Sequence, residues 1–237
     1  MIKIEFFHDV ICSFCFPMSA RMRKISDRYN NIEIIHRSFA LGYREEDFIR
    51  MFGSREAIKT EVLNHWAQAN QNDDDHRFNI QGMEAQDFNF PLSKPGLLAA
   101  KAAGMIGGQE AYWDVFDALQ EALFTANRNI EDPKVIEAVV QTADVDIDRW
   151  KKQIEDPKTE EAVQADLKQA EDYGVYSAPT LIINGKYRIS GAQPLAAIEE
   201  ALEKIAGQEG VPLTKIEDLT PDEGGPCSLV DDKWECD

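Results

Sequence analysis

A pair of cysteines separated by two residues, Cys12 and Cys15, constrains this chain more than any other feature. The pair follows an apolar run at residues 2–7 and opens an apolar-periodic stretch at Phe16, which predicts a strand followed by a helix. Unpaired N–H groups and the dipole at a helix N-terminus stabilise a thiolate, the nucleophile of disulfide exchange. We therefore expect Cys12 to attack disulfides and Cys15 to resolve the resulting mixed disulfide.

The cysteine pair is also compatible with half of a zinc site or with two structural thiols. A zinc site needs a second pair of ligands, and the remaining cysteines, Cys227 and Cys236, lie in a tail rich in Asp, Glu, Gly and Pro. The histidines show no spacing of the H-x3–5-H type. Redox chemistry is therefore the favoured interpretation. We expect neither a metal nor a cofactor.

The cysteine pair lies in a predicted β-α-β unit. We predict a strand over residues 2–7, a helix from about Cys12 or Ser13 to Tyr29, and a second strand over residues 32–39. The middle of the second strand breaks the alternation of apolar and polar residues, which is typical of a well-buried strand.

A helical segment of well over one hundred residues follows. Ser54 and Ser93 are suitable N-caps, and the dipeptides Asp132-Pro133 and Asp156-Pro157 are typical helix starts. An irregular connection is expected at 73–93. The predicted helices cover residues 54–72, 94–106, 109–126, 133–143, 146–155 and 159–172.

Strand character returns at residues 180–183, and an Asn184-Gly185 hairpin turn connects this strand to its partner at 186–190. A closing helix is predicted over 193–206. This order fits an α/β chain with a thioredoxin-like fold, in which a helical domain is inserted between the β-α-β and β-β-α halves. The predicted units are a thioredoxin-like domain at 1–41 and 174–206, a helical insertion at 42–173 whose last helix returns to that domain, and an acidic C-terminal tail at 207–237.

Pro179 lies immediately before the predicted strand at 180–183. Proline lacks the N–H that a central strand needs, so its position requires a reason. In a thioredoxin-like fold the reason is a cis peptide bond beside the cysteine pair, which leaves the backbone of Ala178 free to pair with an extended peptide. The alternative is an ordinary trans proline that starts a strand. We expect the cis form, with Ala178 and Pro179 contributing to substrate binding.

These motifs together resemble the DsbA family of thioredoxin-like thiol–disulfide oxidoreductases, most closely its FrnE-like branch. Residues 6–15 and 174–180 carry the resemblance, which covers about residues 2–206. The resemblance implies that the two cysteines of the motif are the attacking and the resolving thiol, and that Pro179 is the cis-proline. Asp9, three residues before the first cysteine, also matches the FrnE-like pattern.

The residues between the cysteines depart from the family pattern. The family commonly has Pro and then His or Trp, whereas this chain has Ser13 and Phe14. Strongly oxidising members hold a low thiolate pKa partly through donors at these positions, and Phe14 offers no donor. We therefore expect a disulfide that is hard to reduce, and a net reductase or isomerase.

His8 and Asp9 flank the cysteine pair in sequence and are candidates for tuning the pKa of its thiols. A protonated His8 is able to stabilise the Cys12 thiolate, and Asp9 or Glu5 is able to relay protons to Cys15. The alternatives are a strand-end histidine that faces solvent and an aspartate that makes a turn contact.

Cys227 and Cys236 are a candidate second redox pair. A flexible tail is able to carry a dithiol to Cys12. FrnE-like proteins can have a second pair near the C-terminus, usually more closely spaced than the eight intervening residues here. The alternatives are two accessible thiols without a function and a disulfide that forms during handling.

Composition restricts the partners and the compartment. The net charge of −18 disfavours nucleic acid and anionic membrane surfaces, and no apolar run approaches the ~18 residues of a membrane span. Met1 leads directly into a strand without a secretory signal, so we expect the cytoplasm. The expected partners are proteins with thiols or disulfides, and glutathione or a thioredoxin system for recycling.

The predicted function is exchange of disulfides with protein substrates through Cys12 and Cys15, with net reduction or isomerisation in the cytoplasm. One alternative is a glutathione-dependent isomerase or transferase related to 2-hydroxychromene-2-carboxylate isomerase. Those enzymes usually have Ser in place of the first cysteine, which disfavours this alternative. A second alternative is a non-catalytic adaptor that binds a protein partner through a thioredoxin-like fold.

Overall fold

A four-stranded sheet forms the centre of the computed structural model, which describes residues 1–55, 57–216, 227–230 and 233–236. Its strands are β1 (Ile2–His8), β2 (Ile32–Ser38), β3 (Thr180–Ile183) and β4 (Tyr187–Ser190). The order across the sheet is β2-β1-β3-β4, with β1 parallel to β2 and antiparallel to β3, and β3 antiparallel to β4. The predicted thioredoxin-like α/β fold, with helices inserted between its two halves, is confirmed.

Helix α1 (Cys15–Arg28) connects β1 to β2 and begins later than the sequence predicted. The residues before it form tight turns, in which Cys12 N–H donates to the Asp9 carbonyl at 3.1 Å and Cys15 N–H donates to the Cys12 carbonyl at 3.0 Å. Cys12 therefore lies on the turn that precedes the helix, and Cys15 is the first helical residue. The prediction of a helix from Cys12 or Ser13 was early by two to three residues because these turns are local and have no periodicity of their own.

Seven helices separate β2 from β3 in the described part of the chain. Most lie where the sequence predicts helices, but α2 and α4 were not predicted. Helix α2 has an acidic first turn, and Asp47 accepts the Arg44 N–H at 2.9 Å, but its eight residues are too few for a clear period. The helices are α2 (Glu45–Phe52), α3 (Ala57–Asn72), α4 (Ile80–Glu84), α5 (Ser93–Phe124), α6 (Pro133–Val140), α7 (Ile147–Glu155) and α8 (Pro157–Asp172).

The two helices predicted at 94–106 and 109–126 are the two arms of α5. Gly108 separates them with φ 81° and ψ −167°, a conformation that glycine adopts without a steric penalty. Ser93 was predicted as an N-cap, and this was wrong: Leu92 is the N-cap, and the Ser93 hydroxyl donates to the Asp9 carboxylate at 2.7 Å. The Ser93 side chain, which the local sequence predicted to cap α5, instead forms a long-range hydrogen bond with Asp9.

The remaining predicted helix starts agree with the structure. Asp132 and Asp156 accept backbone N–H groups at the starts of α6 and α8, and each is followed by a proline at the first helical position. Ser54 accepts the Ala57 N–H at 3.3 Å at the start of α3.

The buried apolar residues of the described chain form three clusters, two of them large. The larger lies within the inserted helices and includes both cysteines, Trp66 and Phe116. The second lies between the sheet, α1 and the C-terminal helix α9 (Leu195–Glu209), which extends three residues past its predicted end. Buried Arg21 on α1 ties the two parts together, because it donates to Asn72 at the end of α3 at 2.9 Å and to the Gln193 carbonyl before α9 at 3.1 Å.

The predicted Asn184-Gly185 turn connects β3 and β4, and both residues have the positive φ that such hairpins need. In the tail, β5 (Cys227–Val230) pairs antiparallel with β6 (Lys233–Cys236), and the register aligns the backbone of Cys227 with that of Cys236. The remainder of the predicted tail, residues 217–226, 231, 232 and 237, lies outside the described residues. The predicted domain boundaries stay predictions.

None of the helices described here is long and apolar enough to cross a membrane.

Candidate active site

Cys12 lines an apolar cavity of about 230 Å³. Its thiol is free, 4% exposed, and donates to the Ala178 carbonyl at 3.4 Å. The Ala178–Pro179 peptide bond is cis in the structure. The fold therefore brings the first cysteine of the motif against the residue before Pro179, although the two segments are 166 residues apart.

One side of this cavity comes from α2 and α3, in the inserted helices, and residues 11–14, Leu41, Phe90 and Ala178 supply the rest. The wall residues on these helices include Phe48, Met51 and Phe52 on α2 and Val62 on α3. Gly42 lets Phe48 approach, because a Cβ at that position would lie 2.0 Å from its ring. The sequence predicted neither these wall residues nor α2. The available signal for α2 was its run of three acidic residues, which is typical of the first turn of a helix.

Cys15 has an environment opposite to that of Cys12. It is fully buried, and its thiol is free. Burial raises the pKa of Cys15 well above its ordinary value, and the neighbouring Cys12 thiol and the negative charge of Asp9 raise it further. Cys15 is therefore a neutral thiol that has to lose a proton before it is able to attack a disulfide.

Asp9 is fully buried and close enough to Cys15 for its charge to affect that thiol. Its carboxylate accepts the Leu41 N–H at 2.6 Å, the Ile11 N–H at 3.2 Å and the Ser93 hydroxyl at 2.7 Å. Burial raises the pKa of Asp9 to about 6, although these hydrogen bonds act in the opposite direction. At neutral pH Asp9 is therefore mostly a carboxylate, with a pKa suited to accepting a proton near that pH.

Gln120 on α5 fixes the turn that carries both cysteines. Its amide donates to the Asp9 carbonyl and to the Cys12 carbonyl, each at 3.3 Å, and the side chain is fully buried. The sequence carried no signal for this contact, because it joins residues more than one hundred positions apart.

The structure corrects the expectation for His8. Its ring is fully buried, stacks on Phe6 and Phe116, and shares a hydrogen bond with His36 between Nε2 and Nδ1 at 3.3 Å. Burial, then the neighbouring His36 and Lys101, lower the pKa of His8 well below its usual value. A neutral imidazole cannot stabilise the Cys12 thiolate by charge, so the role predicted for a protonated His8 is wrong.

Glu5 does not take part in the cysteine site either. Its carboxylate accepts hydrogen bonds from Arg37 at 2.8 Å, Gln169 at 2.8 Å and Tyr173 at 2.9 Å, within a polar network between the sheet and α8. The alternation of side chains along β1 explains this, because Glu5 and His8 point to opposite faces of the sheet.

The sequence and the fold are both similar to those of known proteins. Residues 3–203 match the family of the DSBA-like thioredoxin domain. The ClpXP adapter protein SpxH of Bacillus subtilis is 29% identical over 129 residues, which is 52% of this chain and 43% of that protein. The chain therefore matches less than half the length of this curated relative.

Among solved structures, the chain is similar to the cytosolic disulfide reductase DsbM of Pseudomonas aeruginosa with GSH. The TM-score is 0.66 at 14% identity, with 84% of this chain and 98% of that chain covered. It is also similar to a 2-hydroxychromene-2-carboxylate isomerase, with a TM-score of 0.61 at 14% identity, covering 88% of this chain and 98% of the isomerase chain. These two similarities show a shared fold. The family match covers most of the chain, and the chain belongs to the DSBA-like thioredoxin domain family.

Proposed function

We propose that this protein is a thiol–disulfide oxidoreductase that exchanges disulfides with protein substrates through Cys12 and Cys15 and acts in the cytoplasm as a reductase or isomerase. The observation that carries the proposal is the position of the Cys12 thiol. It lines an apolar cavity and contacts Ala178, while Cys15 is enclosed directly behind it.

The chemistry proceeds in two steps from the reduced protein. The Cys12 thiolate attacks a substrate disulfide, forms a mixed disulfide and releases the first substrate thiolate. Cys15 then gives its proton to the Asp9 carboxylate and attacks the Sγ of Cys12. The bond between Cys12 and the substrate breaks, and the second substrate sulfur leaves as a thiolate. The substrate gains two electrons, and the protein keeps a Cys12–Cys15 disulfide.

An extended protein segment is the substrate that this site fits. We propose that the backbone at Ala178 and Pro179 pairs with such a segment, and that the apolar cavity receives a side chain next to the substrate cysteine. The contact between the Cys12 thiol and the Ala178 carbonyl supports this arrangement, because it places the reacting sulfur within reach of a bound backbone.

Net reduction follows from the residues between the cysteines. Phe14 offers no donor to the thiolate, so we propose a potential below about −180 mV, nearer thioredoxin (about −270 mV) than the strong oxidants. A protein with such a potential stays partly reduced in a cytosolic glutathione pool.

Recycling requires an electron donor, for which glutathione and a thioredoxin system are the two proposals. The similar DsbM structure contains GSH, which supports the first. The Cys227–Cys236 pair is proposed as an intermediate carrier, which is supported by the alignment of the two residues across β5 and β6. We also propose that the chain belongs to the FrnE-like branch of the family, whose members can have a second cysteine pair near the C-terminus.

Insulin reduction with glutathione or dithiothreitol as the electron source tests the function. We expect the wild type to accelerate the reaction and Cys12→Ser to lose the acceleration. With dithiothreitol, which reduces the active-site pair directly, Cys227→Ser/Cys236→Ser is the matched control, because it removes two thiols and leaves that pair in place. With glutathione, the same variant tests the proposed carrier. Wild-type protein without activity over the uncatalysed reaction would contradict the proposal.

A non-catalytic adaptor is the second candidate, and it is favoured by the likeness to the ClpXP adapter protein SpxH. In that case Cys12→Ser/Cys15→Ser keeps its partner, and insulin reduction is at background for all variants. The isomerase alternative predicts activity with glutathione and a small electrophile. The presence of both cysteines disfavours it, and a glutathione conjugation assay tests it directly.

A further inference from the structure

A cluster of buried polar side chains lies between the ends of β1 and β2 and the helix α5, and the proposed chemistry does not use it. We name it the His8 cluster. Its rings are close to one another: the centroid of His8 lies 5.0 Å from that of His36 and 5.6 Å from that of Tyr112. All members are at least 98% buried. They are His8, His36, Ser38 and Tyr112.

Each member of the His8 cluster has a polar atom without a hydrogen-bond partner in the described part of the chain. These atoms are His8 Nδ1, His36 Nε2, Ser38 Oγ and Tyr112 Oη, of which the last two are neighbours. A buried donor or acceptor without a partner costs ~1–3 kcal/mol, so such atoms are usually paired or hydrated. Buried water molecules usually pair with atoms of this kind.

The hydrogen bond between the two imidazoles restricts their protonation. His8 Nε2 and His36 Nδ1 are 3.3 Å apart, so one of them carries the shared proton. If both rings are neutral, this leaves one outer nitrogen as a donor and the second as an acceptor. When the outer nitrogen that accepts takes up a proton, the shared proton moves to the other ring, and the outer nitrogen that donates releases its own proton. After this transfer, the former acceptor is the donor and the former donor is the acceptor. A neutral pair of this kind conducts a proton without becoming charged for long.

The charged groups around the cluster fit such a path. Asp9 and Cys15 lie on the active-site side, close enough for their charges to affect Tyr112. On the opposite side, Lys101 Nζ lies 5.0 Å from the Tyr112 ring and donates to Asp166, which also accepts the Ser38 N–H at 2.9 Å. The Lys101 side chain is 12% exposed and reaches solvent.

The positive charges near the imidazoles keep the pair neutral. Burial lowers the pKa of His36 well below its usual value, and Arg23 on α1 and Lys101 on α5 lower it further. Arg37 on β2 is neutralised by Glu5 and Asp166.

We infer that the His8 cluster, with water bound between its polar atoms, carries the proton that Asp9 takes from Cys15 toward the Lys101 side of the protein. This inference rests on the proposed function. When the Cys15 S–H bond breaks, the proton passes to the Asp9 carboxylate and leaves through the cluster to solvent, which regenerates the carboxylate. The Cys15 thiolate then attacks the Sγ of Cys12, so the relay precedes decay of the mixed disulfide and limits its rate. Tyr112 and the two histidines are positioning residues in this scheme.

The first test uses Tyr112→Phe, which keeps the stacked ring and removes the hydroxyl. Reduced protein is mixed rapidly with a fluorescent peptide disulfide, and formation and decay of the mixed disulfide are followed by acid quenching. We expect unchanged formation and about fivefold slower decay, the effect of one lost hydrogen bond on a barrier. The ratio of decay rates in water and in D2O should rise. Tyr173→Phe, whose hydroxyl bonds Glu5 on the opposite face of the sheet, is the control and should match the wild type. If Tyr112→Phe has the same decay rate and the same isotope ratio as the wild type, the inference is wrong.

The second test is the 15N spectrum of the imidazoles in the wild-type protein at pH 7, which does not depend on a variant that folds or on activity. The relay requires both rings to be neutral and to share one tautomer, either Nε2–H in both or Nδ1–H in both. A charged imidazolium, or different tautomers in the two rings, overturns it. Loss of insulin reduction in the wild type would instead contradict the proposed function and leave this measurement intact.

Discussion

Cys12 and Cys15 are separated by two residues, yet they face two different regions of the molecule. Cys12 lines an apolar cavity to which α2 and α3 contribute one side, whereas Cys15 is enclosed near the buried carboxylate of Asp9. The outer region offers apolar contact and a backbone carbonyl to an incoming chain. The inner region offers a proton acceptor. In the proposed mechanism, one tight turn therefore separates substrate binding from proton transfer.

The largest expected difference between the two regions is in reactivity toward iodoacetamide. Cys15 is fully buried and its pKa is raised, so it reacts only when the structure opens. Cys12 lines the cavity, through which the reagent reaches it although the residue is only 4% exposed. An opening free energy of about 4 kcal/mol makes alkylation of Cys15 about 10³-fold slower than a reaction that needs no opening. Mass spectrometry of Cys12→Ser and Cys15→Ser, each in a Cys227→Ser/Cys236→Ser background, measures the two rates. Similar alkylation rates for both cysteines would show that the two thiols do not differ in accessibility.

The next largest effect is expected for Asp9→Asn, which keeps the shape of the side chain and removes the proton acceptor. General base catalysis contributes about 10²–10⁴-fold, so we expect decay of the mixed disulfide to slow by about 10²-fold or more. The inflection near pH 6 in the decay rate should disappear, because it belongs to the carboxyl of Asp9. Attack by Cys12 should be unaffected. Glu160→Gln, a surface carboxylate on α8, serves as the control.

Stability against pH tests the inner region without a substrate. Burial lowers the pKa values of His8 and His36 in the folded protein, so the unfolded chain binds more protons and stability falls as pH drops through about 6.5. Each histidine contributes a slope of about 1.4 kcal/mol per pH unit. Asp9 changes the stability in the opposite direction: because its pKa is raised in the folded protein, its contribution to stability increases as pH falls from about 6 toward 3.8.

Urea unfolding between pH 7.5 and 5 measures this dependence. His36→Gln should remove about half of the histidine slope, and His76→Gln, on an exposed side chain, should leave it unchanged. A wild-type stability that stays flat between pH 7 and 6 would show that the two histidines are not held neutral by burial.

The smallest effect is expected in the outer region, at Met51. This side chain is 53% exposed and lines the cavity beside Cys12. Met51→Glu should raise KM for an apolar protein substrate about fivefold, corresponding to about 1 kcal/mol of lost apolar contact. Met51→Leu is the conservative control. Equal KM values for all three proteins would show that the cavity does not bind substrate. A change in the decay rate of the mixed disulfide would show that the outer region also affects proton transfer in the inner region.

Local sequence determined the parts of this protein that depend on neighbouring residues. The cysteine spacing, the period of the strands and the Asn184-Gly185 turn were sufficient to predict the two halves of the sheet. Asp132 and Asp156 before prolines were sufficient to predict two helix starts. Side-chain periodicity and turn chemistry are properties of a few consecutive residues, so they remain visible without the fold.

The environment of each site residue was decided only by the tertiary structure. Ser93 donates a hydrogen bond to Asp9 and does not cap its helix. Gln120 donates to the backbone of a turn more than one hundred residues away, and α2 contributes to the wall of the cavity beside Cys12. His8 is neutral because the packing of α5 against the sheet buries it. The sequence determined which ionisable groups flank the cysteines. Desolvation sets their protonation states, and desolvation depends on atoms that only folding brings together.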